Sequence, residues 1–211
     1  WESLPHFEGQ EAYLENGGII WHAEDYKQAE DTEGKRVLII GVGESGSDIC
    51  AEVSRFATDT GIVCRDKHGH IIPRSQANGR VTDLNTNRVR YSNPYILGDW
   101  VGYANQMAKK FVASMGPQTE QNKVLQKIGE MNMEQGTSAF SKFGCKNEGF
   151  VDAIVNRGTK LFRGNFTLRE GGVDFADGSS FDCDIIIACT GYRLSFPPFE
   201  EHHPEIVSAG K

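Results

Sequence analysis

Val37-Leu38-Ile39-Ile40-Gly41-Val42-Gly43-Glu44-Ser45-Gly46 decides how this chain is read, because it carries a buried strand straight into a glycine-rich turn and a helix start. Four consecutive apolar residues suit a strand in the middle of a parallel sheet, covered on both faces. Gly41, Gly43 and Gly46 then take the GxGxxG spacing. The first glycine permits the tight turn, the second leaves room for a pyrophosphate, and the third lets the helix pack closely on the strand. Amides at the start of a helix have no carbonyl one turn back, and they face the anion. The spacing alone is a weak signal, but strand, turn and helix in this order make a dinucleotide the expected ligand. A tight turn without a ligand is the competing reading.

Downstream, residues 47–58 read as a helix whose stripe is Ile49, Val53, Phe56 and Ala57, with Asp48 and Glu52 on its polar side. Glu44 stands in the first turn beside Ser45 and is counted with the candidate cofactor-binding residues, while Ser45 and Ser47 are candidates for capping or phosphate contact. Thr60-Gly61 closes the helix, and residues 61–64 begin a second strand. The end of that strand separates the candidate cofactors. An acidic residue there binds the ribose hydroxyls of NAD, whereas a basic one meets the extra phosphate of NADP. Cys64-Arg65-Asp66-Lys67-His68 offers both signs. Arg65 with paired donors and Lys67 with a point charge favour the 2′-phosphate, and Arg74 is a further basic candidate. Asp66, if it faces the ribose instead, favours NADH.

The remainder supports an α/β chain. Residues 19–22 can form a short strand after Gly17-Gly18, and Ile71-Ile72 another before Pro73. Residues 76–94 have little periodicity, residues 97–115 and 118–131 are helical in pattern, and residues 134–150 read as a loop. In the second of those helices Val124, Leu125 and Ile128 face inward. Lys160–Arg163, Phe166–Arg169 and residues 173–175 are short strand candidates split by Gly164-Asn165 and Gly171-Gly172, and they read as a meander feeding back into the main sheet through residues 184–189. The expected fold is a Rossmann-like three-layer domain with a central parallel sheet and an added small β-meander.

Composition narrows the function. A net charge of −7 gives no general attraction to nucleic acid. The longest apolar runs are strand-sized and too short to span a bilayer. Five cysteines without a CxxC pair fit reduced thiols in an intracellular setting, cytoplasmic or membrane-associated through parts outside this chain. His68-Gly69-His70 and His202-His203 do not make a metal set, so no metal is expected. Ser45 lacks the second glycine of a GxSxG nucleophile elbow. The start at Trp1 points to a piece of a longer chain.

Taken together, these motifs resemble the nucleotide-binding domain of the flavin-containing monooxygenase family. Pro5-His6-Phe7-Glu8-Gly9 is similar to the linker out of the family's first flavin segment. Gly18-Ile19-Ile20-Trp21-His22 followed by Tyr26-Lys27 resembles its FxGxxxHxxxY signature. The glycine turn through Ile49 resembles the family's second glycine motif, Ile71-Ile72-Pro73-Arg74 another family segment, and Ala188-Cys189-Thr190-Gly191-Tyr192 its ATGY-like signature. The resemblance implies a flavin domain, absent from this chain, with residues 1–36 leading out of it, 37–189 binding NADPH and 190–211 returning toward it. It implies that NADPH reduces FAD and that the reduced flavin uses O2 to oxygenate a small molecule bearing a soft nitrogen or sulfur nucleophile. The cofactor-binding set is then Gly41, Gly43, Glu44, Ser45, Gly46, Arg65, Lys67, Arg74, Thr190 and Gly191. No acid–base catalyst is assigned, and the isolated chain is expected to be inactive. A related flavin oxidoreductase, a Baeyer–Villiger monooxygenase and a stand-alone dinucleotide-binding module are the alternatives.

Overall fold

The computed structural model describes residues 4–64, 69–73, 114–134, 144–145 and 147–192. In chain order its elements are α1 (Gln10–Glu15), β1 (Ile19–His22), a 3-10 turn (Ala29–Thr32), β2 (Arg36–Ile40), α2 (Glu44–Val53), β3 (Asp59–Cys64), β4 (His70–Ile71), α3 (Glu120–Glu134), β5 (Gly144–Cys145), α4 (Gly149–Arg157), β6 (Lys160–Arg163), β7 (Phe166–Arg169), β8 (Gly172–Phe175), β9 (Ser180–Asp182) and β10 (Ile185–Ala188). Among the described residues, β1-β10-β2-β3-β6 form one sheet, parallel throughout. Strands β7, β8 and β9 form an antiparallel meander, and β4 pairs with β5 in a separate two-stranded sheet.

Alternation along each strand sends side chains to opposite faces, and here both faces are apolar. Val37, Ile39, Ile62, Ile185 and Ile187 point to one side, where they join Ile49 and Val53 of α2, Ile128 of α3 and Phe150 of α4. Leu38, Ile40, Val63, Ile186 and Ala188 point to the other, against Leu168, Val173, Phe175 and Phe181 of the meander and Phe7 and Tyr13 near α1. The result is the expected three-layer arrangement of helices, parallel sheet and meander. Gly61 shows how tightly this face is packed: a Cβ there would stand 3.0 Å from Leu38 and 3.1 Å from Phe162 on the flanking strands, and 3.3 Å from Phe181 of the meander. Part of the entrance segment belongs to the sheet, since β1 is its edge strand beside β10.

Several local expectations change. Helix α2 starts three residues earlier than the periodicity predicts and stops at Val53. Phe56 and Ala57 both donate their N–H to the Val53 carbonyl, and Thr58 N–H bonds Lys35 O, so the chain has already turned toward β3. Phe56 therefore stands 37% exposed instead of completing the stripe. Thr60 and Gly61 lie inside β3, not at a helix end. The third short strand is His70–Ile71, one residue earlier than expected. Residues 134–150 include β5 and the start of α4, so the loop reading is too simple there. Lys160–Arg163 belongs to the parallel sheet beside β3, and the meander's third strand is Ser180–Asp182. The irregular reading of residues 76–94 and most of the helical stretch 97–115 lie outside the described residues. No helix among the described residues is long and apolar enough to cross a membrane.

At the N-terminal end of the sheet an ion network ties the meander to the strands. Arg36 donates Nε to Asp184 Oδ2 at 3.2 Å and Nη2 to Oδ1 at 2.7 Å, and reaches Asp182 at 3.4 Å. Arg169 joins Asp182 at 2.5 Å and Asp174 at 3.0 Å. The hydrogen bonds from Arg36 hold the Asp184 carboxyl below the ordinary carboxylate range. A lowered folded value means that this contribution is complete above the ordinary carboxylate pKa of about 3.9 and is lost as the pH falls through the folded value. Asp184→Asn should therefore lower stability at neutral pH by about 1 kcal/mol or less, given the exposure of the pair. Urea midpoints of the variant and the wild type should converge below about pH 4, and a gap that persists in acid would contradict this role.

Candidate functional site

The glycine turn sits where the sheet changes direction. From β2 the chain moves outward through β3 to β6, while β10 and β1 lie on the other side of β2. Parallel α/β sheets bind ligands in the crevice beyond the carboxyl ends of the strands at such a switch point. A cleft of about 1340 Å³ opens there, lined by the ends of β2, β3 and β10, the first turn of α2, and residues 5–8. Its volume exceeds the range usual for drug-sized ligands, roughly 300–1,000 Å³, and leaves room for an extended molecule.

Close backbone approach explains the glycines. Gly41 has φ +106°, and a Cβ there would stand 2.6 Å from the Cys189 carbonyl oxygen. A Cβ on Gly46 would stand 2.0 Å from the Gly41 carbonyl oxygen and 3.4 Å from the Cys189 Cβ. Gly43 is the N-cap of α2, with extended backbone at φ −73° and ψ −172°. The first intrahelical bond above the turn runs from Ser47 N–H to Gly43 O at 2.9 Å. The amides of Ser45 and Gly46 precede it and have no acceptor one turn back within the helix. Unpaired amides at a helix start are the groups that cradle an anion in sites of this kind.

Cys189 forms part of the floor of this cleft. Burial pushes its thiol up to about 12, so it is neutral near pH 7 and adds no negative charge beneath the cradle. On the far side of the cleft the chain runs through Thr190 to Gly191, at φ +82°. The wholly buried His22 holds this stretch. Its Nδ1 accepts Glu24 N–H at 3.3 Å, which assigns the ring proton to Nε2, and Nε2 donates to the Gly191 carbonyl at 3.1 Å. Tyr192 meets the same imidazole edge-on at 5.1 Å. The signature histidine thus acts through a long-range hydrogen bond, joining the end of β1 to the chain just beyond β10.

Helix α2 is braced along its length. Tyr26 donates its hydroxyl to Glu52 Oε2 at 2.9 Å, and burial raises the Tyr26 pKa further above the ordinary phenol range. Arg157 of α4 donates to Ser54 Oγ at 2.8 Å. Ser47, a candidate for phosphate contact from sequence, is instead fully buried and turned toward α4: its hydroxyl donates to Asn147 O at 3.3 Å and accepts Phe150 N–H at 3.0 Å. A serine just beyond a glycine turn looks like a ligand contact until the packing of the next helix is known. Ser45, by contrast, is exposed on the cleft.

The structure brings Gly41, Gly43, Glu44, Ser45, Gly46, Thr190 and Gly191 to one cleft. Arg65, Lys67 and Arg74 lie outside the described residues. Sequence reading missed Arg163. It closes β6 in register with Cys64, the last residue of β3 and a cleft-lining residue, and its Nη1 donates to Cys64 Sγ at 3.4 Å. Among the described residues it has no carboxylate partner, so it sets a cation beside the chain that enters residues 65–68. Only the β3–β6 register could reveal this, because the two residues are 99 positions apart. No group of three or more His, Cys, Asp or Glu among the described residues could hold a metal ion.

The family model described as flavin-binding monooxygenase-like matches residues 3–209. The chain belongs to this family. It is 30% identical to flavin-containing monooxygenase 5 of Cavia porcellus over 190 residues, covering 87% of this chain and 32% of that protein. It is 30% identical over 206 residues to a 4-hydroxybenzoate brominase (decarboxylating) of Marinomonas mediterranea, covering 95% of this chain and 38% of the relative. The chain thus spans less than half the length of these relatives. In fold it is similar to an oxidized steroid monooxygenase bound to NADP, with a TM-score of 0.55, 16% identity, and coverage of 90% of this chain and 44% of the other.

Gly46→Ala should lower the unfolding free energy by about 1–3 kcal/mol, because the added methyl meets a backbone carbonyl that no rotamer change can move aside. Chemical denaturation measures the loss, and an unaltered midpoint would show that the turn relaxes without cost.

Proposed function

We propose that this chain is the NADPH-binding portion of an FAD-dependent monooxygenase that oxygenates a soft nitrogen or sulfur nucleophile with O2. The observation that carries the reading is the glycine cradle at the switch point, where the Gly41 and Gly46 backbones approach too closely for side chains and the first turn of α2 lines the cleft. Family membership and the NADP-bound fold neighbour support it. Residues 1–36 lead in from a flavin domain supplied by the longer protein, and residues 190–211 lead back toward it.

Each residue has a limited task. Ser45 and Gly46 donate backbone N–H groups to the pyrophosphate, and Gly43 leaves space for it. Glu44 stands beside them in the first turn, where its side chain lines the cleft. Thr190 and Gly191, fixed by His22, shape the end of the cleft beside β10. Arg65 and Lys67 recognise the 2′-phosphate, with Arg74 as a further cation and Arg163 as a neighbour on β6. The bound flavin supplies the redox chemistry, while this chain binds and orients the nucleotide.

Calorimetric titration with NADP⁺ and NAD⁺ tests the nucleotide assignment. NADP⁺ should bind about tenfold more tightly or better, and Arg65→Ala and Arg163→Ala should each remove much of that preference. Equal affinities, unchanged by either substitution, would sink the 2′-phosphate assignment. Mixed with FAD, NADPH, O2 and a tertiary amine, the chain alone should form no N-oxide above the protein-free control; sustained turnover would overturn the claim that a separate flavin domain is needed.

A further inference from the structure

Asn147 does not line the cleft, yet it grips the helix whose first turn forms the cradle. It is 2% exposed, and its side-chain amide is bonded at both ends. Nδ2 donates to Asp48 Oδ1 at 2.6 Å, and Oδ1 accepts Gly149 N–H at 2.8 Å. Its backbone carbonyl accepts the Ser47 hydroxyl at 3.3 Å and the Cys145 thiol at 3.4 Å. One residue therefore touches two successive positions of α2, the start of α4 and the end of β5.

The helices meet there almost backbone to backbone. A Cβ on Gly149 would stand 2.9 Å from the Ser47 carbonyl oxygen and 3.0 Å from the Ala51 Cβ. Ser47 and Asp48 directly follow Ser45 and Gly46, which line the cleft and whose amides have no acceptor one turn back within the helix. A rotation of α2 about its axis would swing these amides away from a bound pyrophosphate. Tyr26 resists that rotation from the side of β1, at the far end of the helix, through Glu52. Asn147 resists it at the near end.

We propose that Asn147 is a positioning residue of the nucleotide cradle, fixing the first turn of α2 so that its amides converge on the pyrophosphate. The inference rests on the nucleotide reading of the cleft. It differs from a simple cap of α4, and the chemistry of the side chain separates the two. An aspartate at this position keeps the acceptor for Gly149 N–H, and its charge suits a helix start. It cannot donate to Asp48, and it sets two carboxylates against each other.

The test is a charge swap. N147D should keep a cooperative melt and weaken NADP⁺ binding by about tenfold in calorimetry. Adding D48N restores one donor and one acceptor across the contact, and the D48N N147D pair should recover affinity to within about threefold of wild type. Adenosine 2′-monophosphate, which lacks the pyrophosphate, should bind all of these variants about equally. If N147D binds NADP⁺ as wild type does, or loses both ligands equally without rescue by D48N, Asn147 is only a structural cap. Should the wild-type chain fail to bind NADP⁺, the nucleotide reading falls, and hydrogen exchange judges the contact by itself. Amides of residues 45–48 should exchange faster in N147D and return to the wild-type rate in the pair; unchanged rates would overturn the positioning role.

Discussion

Backbone lies against backbone where the glycine turn meets β10. The space over Gly41 is taken by the Cys189 carbonyl, and the space over Gly46 by the carbonyl of Gly41 itself. With no side chain between them, α2 descends onto the sheet and its first amides come to the carboxyl edge of the strands. Everything else in the site is arranged around that approach. Continuous apolar strands bury both faces of the sheet, so the edge where β2, β3 and β10 end is fixed by the core. The cleft is then a consequence of strand order.

Rigidity of the cradle comes from polar contacts outside it. Tyr26, Ser47, Asn147 and Arg157 hold α2 along its length, and His22 fixes the chain at Gly191 across the cleft. These groups come from segments far apart in sequence. They do not line the cleft, but they keep two of its walls in one relation. A site built on packed helices and strands holds its geometry better than one built on loops.

The glycine turn was legible in the sequence because strand, turn and helix each impose a local requirement that only certain residues meet. The apolar runs of β2 and β10 were legible for the same reason. Helix α4 was not read, since it follows a polar, glycine-bearing stretch and its N-cap, Glu148, makes no side-chain cap bond. Its order comes from packing on α2 through Gly149, a contact invisible in a local window. Lys160–Arg163 and Phe166–Arg169 look alike as short strands, and only their partners separate them: β6 pairs with β3, whereas β7 pairs with β8. Ser47 and Arg163 taught the same lesson at the site. A polar residue near a cradle can serve the neighbouring helix, and a cation far away in sequence can stand beside the end of a strand that borders the cleft.

The sheet also dictates an order of assembly. Ile19 pairs with Ile185, and Val37 pairs with the same residue from the other side, so β10 is inserted between two strands made long before it. During synthesis β2 and β3 can associate early, but the edge of β2 stays open until residue 188 has emerged. Such long-range pairing slows folding, and an open apolar strand edge invites association with other chains. The contact that completes the cradle, Cys189 against Gly41, therefore waits for a segment made almost 150 residues after the turn that it closes.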